Sequence, residues 1–480
     1  MDQIDRGLKR ELLTGRMTRR EFIVRAAAAG VSMSAIAGWL AACAPAPAQA
    51  PAAAAPAATD APAADAPAAE APAAEEPMKL ELAPGTKLTL KLRASFIPEG
   101  NQVLSALIAD WAAKNNLEVE ADIVSMDDLS TIAATAAETG SGPDIVEIYV
   151  SQPHLYADKL EDVSDVADYL GENYGGWYPF SEDACKVDGV WRALPSFISA
   201  NTCLYRTDLF EDIGYTEFPK TWYELLEAGK KMVAAGHPPF GHALGHAVGD
   251  GNDFAYTLLW SFGGKEVSED GKTVTINSPE TEEAVEFLKE YAKVMAPDIL
   301  AWDDSSNNRA YLAGEISMTN NAASIYVVAK TNAPDIYPVT AAAKYPDGPA
   351  GRVHMAELMS RALFKYSPNK DAAKALLKHL MEKDQLAPWV QAGYTFTTPL
   401  LMGYEELPAM PWNTNPALAG YKGIANGAHL PGYPSKEFSK ATEIYNKFII
   451  IDMFAKAAQG EPTKDVIAWA EGQLKSVYEA

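Results

Sequence analysis

The sequence contains only three cysteines and no long run of strongly apolar residues. Its longest weakly apolar stretch, residues 26–42, is interrupted by Gly30, Ser32, Ser34 and Gly38. This composition argues against a permanent membrane span, which needs roughly 20 predominantly apolar residues. Cations are also scarce, since 40 Lys and Arg stand against 64 Asp and Glu. A nucleic-acid partner is not expected, because phosphate binding needs clustered cations.

Catalytic sequence motifs are missing as well. The chain has no Gly-x-Ser-x-Gly elbow, no His-Glu-x-x-His pair and no Walker phosphate loop. The sequence therefore predicts no catalytic residue and no cofactor. An enzymatic role stays open as an alternative, in the form of a lipid-anchored envelope enzyme that acts on polysaccharide.

The N-terminal segment has the pattern of an export signal. Residues 18–23, Thr-Arg-Arg-Glu-Phe-Ile, resemble a twin-arginine signal, and residues 40–43, Leu-Ala-Ala-Cys, resemble a bacterial lipobox. We expect residues 1–42 to be a signal peptide and Cys43 to be lipidated, which gives a protein outside the cytoplasm held on the cell membrane by this anchor alone. Residues 43–77 are rich in Ala and Pro and predict a disordered tether. A plain signal peptide with a stray cysteine is the alternative.

The chain from residue 78 onward has the pattern of an α/β protein. Residues 87–93, 117–124 and 145–150 predict strands, and residues 101–115 and 127–139 predict the helices between them. This alternation indicates a parallel sheet with right-handed crossovers. Ligands bind beyond the carboxyl ends of the strands in such sheets. The residues at these ends are Ser95, Phe96, Ser151 and Gln152.

Further local patterns predict a hairpin, an edge strand and two helices. Cys185 and Cys203 flank the hairpin, whose strands are residues 184–187 and 190–194. Their spacing allows either a disulfide or two buried thiols. Residues 273–276 alternate like an edge strand, and residues 280–295 have helical periodicity. Thr221 and Glu224 have the spacing of a capping box that begins a helix.

Several segments together resemble one protein family. They are "GSGPDIV", "DGVWRALPSFISANTCLYRTDLFEDIG", "PKTWYELLEAGKKM", "YLAGEISMTNNAASIY" and "FKYSPNKDAAKALLKHLME". The chain resembles the extracellular solute-binding proteins of family 1, the maltose-binding-protein-like components of ABC importers. The resemblance implies the type II periplasmic-binding-protein fold, in which two α/β lobes are joined by a multi-strand hinge with a ligand cleft between them. It also implies a monomer that captures a small solute and delivers it to a membrane permease served by a separate ATPase.

The resemblance also implies lobe boundaries and chain crossings. Lobe 1 would contain residues 78–198 and 356–407, and lobe 2 residues 199–355 and 408–480. The chain would cross between the lobes near residues 194–205, 355–363 and 407–412. The implied solute is a sugar, oligosaccharide or polyol, although short peptides and polyamines also suit such clefts.

The same resemblance implies which residues contact the solute. Besides the residues that follow the strands, it points to the "GDGNDFAY" loop and the end of the "MTNNAAS" strand. These segments supply Asn252, Asp253, Phe254, Asn320, Asn321 and Ser324. This chain has Ser324 where the maltose-binding branch often has Trp, so the stacking ring would come from Trp260, Tyr394, Trp412 or Tyr433. Asn201, on the crossing strand, is either a hinge residue or a ligand contact.

Two other clusters of polar residues have simpler interpretations. His237, His242 and His246 lie among Pro and Gly, which favours a loop near the cleft over a zinc site, and no metal is expected. Asp303 and Asp304 are adjacent, and adjacent residues rarely face each other across a substrate. We therefore interpret residues 302–304 as a solvated loop.

Overall fold

The computed structural model describes residues 80–199 and 201–479. The signal peptide, Cys43 and the tether therefore lie outside the described residues. The strands in the described range are β1 (Lys87–Arg93), β2 (Glu118–Val124), β3 (Ile145–Tyr149), β4 (Lys186–Val187), β5 (Val190–Trp191), β6 (Leu194–Ser199), β7 (Thr202–Arg206), β8 (Met318–Asn321), β9 (Thr340–Ala343), β10 (His354–Met355), β11 (Glu357–Leu363), β12 (Thr398–Pro399) and β13 (Ala428–His429).

Helices occupy most of the remaining described chain. They are α1 (Pro98–Asn115), α2 (Met126–Thr139), α3 (Ser164–Asn173), α4 (Pro179–Cys185), α5 (Thr207–Asp212), α6 (Trp222–Ala234), α7 (Asp250–Ser261), α8 (Pro279–Tyr291), α9 (Ser306–Leu312), α10 (Ser324–Asn332), α11 (Lys370–Met381), α12 (Lys383–Gly393), α13 (Phe438–Asn446), α14 (Ile449–Ala458) and α15 (Thr463–Tyr478). Within these ranges no helix is long and apolar enough to cross a membrane.

A six-stranded mixed sheet contains the first three strands, in the order β12-β6-β11-β3-β1-β2. β1 runs parallel to β2 and β3, whereas β11 is antiparallel to β3 and β6. Leu88, Leu90 and Leu92 alternate along β1 and are all buried, and every residue of β3 is buried. The predicted order of strands and helices at the start of the body, and its parallel pairing, are confirmed.

A second sheet is antiparallel and has the order β8-β7-β9. Residues 194–205 were expected to be one extended crossing segment, and they form β6 in the larger sheet followed by β7 in the smaller one. The chain passes between sheets a second time from β10 to β11. β10 pairs with β13 in a separate two-stranded sheet, and β11 lies in the larger sheet. Residues 407–412 contain no strand, and a 3₁₀ turn begins there at Pro411. The cavity described below lies where these connections meet the strand ends.

Of three local predictions in this part of the chain, the capping box is correct, whereas the edge strand and the length of the following helix are not. The Thr221 side chain accepts a hydrogen bond from the Glu224 backbone N–H, and Glu224 reciprocates, so the capping box is confirmed. The expected edge strand at residues 273–276 is wrong, because only Val274 forms a bridge, to Val267. The helix expected to reach residue 295 ends at Tyr291 and continues as a short 3₁₀ turn.

The two body cysteines are both free and buried. Cys185 ends helix α4 rather than lying in the hairpin, which is reduced to β4 and β5. Cys203 lies in β7 of the smaller sheet. Burial raises the pKa of Cys185 to about 12 and that of Cys203 still further. Of the two possibilities that the spacing left open, the structure has two buried thiols.

Glu266 is a buried carboxyl group that makes the stability of the fold sensitive to pH. Its Oε1 accepts a hydrogen bond of 2.9 Å from the Tyr256 hydroxyl. Burial raises its pKa from an ordinary 4.5 to about 7. A raised carboxyl pKa contributes stability that is complete below the unfolded-state pKa and is lost as the pH rises through the folded-state value.

We therefore expect Glu266→Gln to gain stability relative to the parent protein as the pH rises. Between about pH 4.5 and pH 8 the difference in free energy of unfolding should change by up to about 3 kcal/mol in favour of the variant. Urea denaturation across this range measures the difference. Glu269→Gln, at an exposed position nearby, is the matched control and should show a flat difference. A flat profile for Glu266→Gln would contradict the expectation.

Candidate functional site

A small polar cavity lies where strand ends from both sheets meet. It holds about 10 Å³, space for about one water molecule, and is lined by β1, β6, β8 and β11 together with the start of helix α7. Its lining residues are Arg93, Phe96, Ser199, Asn201, Gly249, Asp250, Asp304, Asn321, Ala322, Ser324, Glu357 and Phe396. These residues are spread over more than half of the body, so only the fold brings them together. We call this space the inner cavity.

A wider space adjoins the inner cavity and shares Arg93, Phe96 and Asp304 with it. It encloses about 760 Å³, including space open to solvent. The other lining residues come from the turn after β1, the start of α2 and the segments before α7 and α9. They are Ala94, Ser95, Ser125, Met126, Asp127, His246, Ala247, Val248, Asp303 and Ser305. We call this space the outer cavity. About 260 Å³ of it is available to a small molecule, so most of the room for a solute lies here rather than in the inner cavity.

Asp250, at the first position of helix α7, organises the floor of the inner cavity. Its Oδ2 accepts hydrogen bonds from the side-chain amides of Asn307 at 2.8 Å and Asn321 at 3.2 Å, and its Oδ1 accepts one from Asn201 at 3.4 Å. Asp304 accepts from the backbone N–H groups of Gly249 at 3.1 Å and Asp250 at 2.9 Å. Asp304 thus satisfies N–H groups that would otherwise be free at the beginning of α7.

Arg93, at the end of β1, forms the opposite wall. Its Nη2 lies 2.8 Å from Oε1 of Glu357, and its Nη1 donates a hydrogen bond of 2.6 Å to Ser199 Oγ. The guanidinium carbon lies 4.8 Å from the centre of the Phe396 ring, a cation–π distance. Phe96 packs edge-on against Phe396 with 6.2 Å between ring centres. Two aromatic rings therefore stand beside the charged groups of the cavity.

The carboxyl groups of the inner cavity raise one another's pKa values. Burial raises the pKa of Asp250, and the nearby Asp304 and Glu357 raise it further. Burial also raises the pKa of Asp304, against the effect of its two N–H donors. Burial raises the pKa of Glu357, while Arg93 acts in the opposite direction. The inner cavity thus holds three carboxyl groups against one guanidinium group, and burial favours the protonated forms of these acids.

Comparisons with known proteins fit this architecture. The family described as bacterial extracellular solute-binding protein matches residues 97–387. The chain belongs to this family. A probable ABC transporter-binding protein of Deinococcus radiodurans is 24% identical over 380 residues, which cover 76% of this chain and 88% of that protein. The diacetylchitobiose binding protein DasA of Streptomyces coelicolor is 27% identical over 191 residues, 38% of this chain and 43% of the relative.

Solved structures share the fold. Maltose-bound MalE3 of T. maritima aligns with a TM-score of 0.71 at 24% identity, covering 82% of this chain and 100% of that one. A tagatose-bound ABC transporter solute binding protein of Thermotoga lettingae aligns with a TM-score of 0.70 at 20% identity, covering 82% and 100%. This solute-binding protein therefore has the type II periplasmic-binding-protein fold, as the resemblance implied. Its family is one of binding proteins rather than of enzymes.

Some of the residues expected to contact the solute do meet in the two cavities. Phe96, Asn201, Asn321 and Ser324 line the inner cavity, and Ser95 lines the outer one. Ser324 Oγ donates a hydrogen bond of 2.7 Å to Asn321 Oδ1, which fixes the orientation of that amide. Asn201 bridges Asp250 and Glu357, with distances of 3.4 and 3.5 Å. Its side chain therefore belongs to the polar lining.

Other expected residues lie in a buried layer behind the inner cavity. Asn252, Asp253 and Phe254 belong to helix α7, so the expectation of a loop there is wrong. Phe254 stacks on His242 with 4.1 Å between ring centres, and Asp253 accepts hydrogen bonds from Tyr345 and from Asn320. These contacts support the residues that line the cavity.

Ser151 and Gln152 follow β3 as expected, but they line neither of the two cavities. Both are buried, and Gln152 donates a hydrogen bond of 3.4 Å to Ser130 Oγ. The preceding Val150 has a φ of 42°. A β-branched residue is strained in this left-handed region, and such strain is common near functional sites.

The candidate stacking rings also lie outside the two cavities. Tyr433 stacks on His429 with 3.7 Å between ring centres and lines a separate cavity with Tyr178 and Phe438. Trp260 and Trp412 are buried. Tyr394 is half-buried and packs against the core. Phe96 and Phe396 are the aromatic side chains that line the inner cavity.

The acidic pair Asp303–Asp304 and the His237–His246 cluster each split into residues with different environments. Asp303 is exposed, as expected, but the solvated-loop interpretation is wrong for Trp302, which is buried, and for Asp304, which is held at the start of α7. His242 is buried, and its Nδ1 lies 2.8 Å from Asn320 Oδ1, whereas His246 is exposed and pairs with Asp452 at 2.9 Å. Among the described residues no group of His, Cys, Asp and Glu side chains is arranged to hold a metal ion.

Sequence reasoning missed eight residues of the inner cavity: Arg93, Ser199, Gly249, Asp250, Asp304, Ala322, Glu357 and Phe396. Asp250 stands beside the expected "GDGNDFAY" residues, and Arg93 ends a predicted strand, so both positions carried a usable signal. Ser199 and Glu357 lie on segments expected to cross between lobes. No local pattern distinguishes Phe396.

Proposed function

We propose that this protein is the substrate-binding component of an ABC importer for a small carbohydrate. The observation that carries the proposal is the pair of adjoining cavities, whose lining places carboxylates, amides and a guanidinium group beside Phe96 and Phe396. Sugars present hydroxyl groups to such polar partners and C–H faces to aromatic rings. The matches to an ABC transporter-binding protein and to a diacetylchitobiose binding protein support the same assignment.

Closure of two lobes on the solute is part of the proposal. Lobe 1 contains residues 78–198 and 356–407, and lobe 2 contains residues 199–355 and 408–480. Polar contacts join these segments. Ser439 Oγ donates to the His154 carbonyl at 3.1 Å, and Lys436 pairs with Asp183 at 2.7 Å. Hinge motion at the β6–β7 and β10–β11 connections would open these contacts and release the solute to the permease.

The remaining parts of the transport assembly follow from this role. The protein would work as a monomer outside the cytoplasm, with a permease and a separate ATPase as partners. Lipidated Cys43 would anchor it to the membrane, and residues 43–77 would hold the folded body away from the lipid surface. Metabolic labelling with a fatty-acid analogue tests the anchor, since Cys43→Ser should abolish the label.

Calorimetry on the full chain extracted in detergent tests the binding role. Mono- and disaccharides, polyols, short peptides and polyamines are titrated in turn, and the recovered solute is analysed by mass spectrometry. We expect saturable binding of one carbohydrate class, a raised melting temperature through mass action, and unchanged solute. Binding of peptides alone would exclude the carbohydrate assignment. Conversion of a glycan would favour an envelope enzyme.

A further inference from the structure

Carboxylates dominate the charged residues that line the two cavities. Asp250, Asp304 and Glu357 line the inner cavity, and Asp127 and Asp303 line the outer one beside Asp304. The lining residues that can carry positive charge are Arg93 and His246. The space available to the solute is therefore surrounded by more negative than positive charge.

Both positive groups already have partners in the protein. Arg93 pairs with Glu357, and its guanidinium group also covers the Phe396 ring. His246 stacks on Phe448 with 4.5 Å between ring centres and pairs with Asp452. Neither Phe448 nor Asp452 lines these cavities. Arg93, which is shared with Glu357, is the lining cation whose charge also acts on Asp304.

Asp250 and Asp304 are held by uncharged donors. Three side-chain amides hold Asp250, and two backbone N–H groups hold Asp304. Such donors fix the orientation of a carboxylate and satisfy its lone pairs, but they leave its negative charge in place. Burial raises the pKa of both groups and so favours their protonated forms, whereas a cation held beside them would favour the ionised forms.

An exposed aromatic ring stands at the junction of the two cavities. Phe96 is 41% exposed, which is unusual for so large an apolar side chain, and it lines both spaces together with Arg93 and Asp304. The face of an aromatic ring attracts a cation electrostatically. Carboxylates in excess of the lining cations and an open phenyl ring together form a site for an ammonium group.

We propose that the solute carries a protonated amine on a hydroxyl-rich scaffold, as an amino sugar with a free amino group does. The inference rests on the proposed function, since it names the solute class for the same cavities. An ammonium group donates up to three hydrogen bonds to carboxylates and brings the positive charge that the lining lacks. A sugar with hydroxyl groups alone brings the hydrogen bonds without the charge.

Calorimetry with three matched disaccharides tests the proposal. Deacetylated chitobiose, diacetylchitobiose and cellobiose share one β-1,4-linked skeleton and differ at C2, where they carry an ammonium group, an acetamide group or a hydroxyl group. With the full chain at about pH 7 and low salt, we expect the free amine to bind at least ~10-fold more tightly than the other two. Higher salt should weaken the binding of that sugar alone.

The outcomes separate this inference from the proposed function. If the neutral sugars bind equally or more tightly, the solute does not need a protonated amine. That result overturns this inference and leaves the proposed carbohydrate importer unaffected. Spermidine is included as an amine without a sugar scaffold. If spermidine binds and no sugar does, the result supports a solute with a protonated amine and overturns the assignment of a carbohydrate. Absence of binding by both amine-bearing probes overturns the inference.

A matched pair of variants locates the effect. Asp127 and Asp128 are both exposed in the first turn of α2, but Asp127 lines the outer cavity and Asp128 does not. Asp127→Asn should reduce the preference for the amine over cellobiose by about 3-fold, and Asp128→Asn should leave it unchanged. Both variants change net charge equally, so an equal effect would contradict a local role for Asp127. Asp304→Asn keeps an acceptor for the α7 N–H groups and should reduce the preference by ~10-fold or more.

Discussion

Arg361→Ala is expected to lower the free energy of unfolding by about 3–5 kcal/mol, because it leaves an unpaired carboxylate in the centre of the larger sheet. Arg361 lies on β11, and its Nε is 3.3 Å from Oε1 of Glu147 on β3. The two side chains are 0% and 1% exposed. Glu147 also accepts a hydrogen bond of 2.8 Å from the Arg93 backbone N–H. Loss of Arg361 therefore leaves the Glu147 carboxylate buried without its cation. This carboxylate also holds the end of β1, the strand that leads into the inner cavity.

Urea denaturation monitored by circular dichroism measures this loss. The double variant Arg361→Met with Glu147→Gln removes both charges and keeps an acceptor for Arg93, so it should recover most of the lost stability. Lys87→Ala is the exposed control, since its pair with Glu118 is 75% and 66% exposed and should leave the free energy of unfolding nearly unchanged. A loss below about 1 kcal/mol in Arg361→Ala would show that the Arg361–Glu147 pair is not important for stability.

The first half of the larger sheet was predictable because its signals are local. Apolar residues alternate along β1, β3 is buried throughout and apolar except at Glu147, and α1 has buried residues at helical spacing. Each signal lies within one element, and the βαβ connection rules then fix the parallel pairing. The capping box at Thr221 is local in the same way. The predicted edge strand at residues 273–276 failed because alternation does not supply a partner strand.

Helix α7 shows where local reasoning misleads. Gly249, Asp250, Gly251 and Asn252 are typical turn formers, and the sequence alone favours a loop. In the structure the Asp304 carboxylate accepts hydrogen bonds from the first N–H groups of the helix, and every residue of the helix is buried. Tertiary contacts thus override the weak helix propensity of these residues. The acceptor lies about fifty positions away in the sequence, where no local pattern could reveal it.

The inner cavity could be predicted only in part for the same reason. Asn321 and Asn201 were found through a family resemblance, and Phe96 through its position after a strand. Asp304 was interpreted as a solvated residue because an Asp in a polar segment looks the same whether or not it is held by a helix. Pairings between distant segments decide which carboxylates face the cavity.

Asn321→Ala is expected to weaken solute binding by about 10- to 100-fold while the protein remains folded. Asn321 lines the inner cavity, where its Nδ2 donates a hydrogen bond of 3.2 Å to Asp250 and a second one of 2.6 Å to Asn308. Removing this amide takes away one contact surface and frees the Asp250 carboxylate to reorient. Calorimetry with the tightest-binding sugar, at a temperature well below the melting transition, measures the loss.

Asn320→Ala provides the contrast. Asn320 is the neighbouring amide on β8, but its side chain points into the layer behind the cavity, where it contacts His242 and Asp253. Its removal leaves the buried Nδ1 of His242 without its partner and takes one donor from Asp253 and from the Asp250 carbonyl, so the free energy of unfolding should fall by about 1–3 kcal/mol. The affinity of the folded protein should change by less than about 3-fold, because Asn320 does not line the inner cavity. If Asn320→Ala weakened solute binding more than Asn321→Ala did, the solute would lie deeper than the inner cavity, against helix α7 itself.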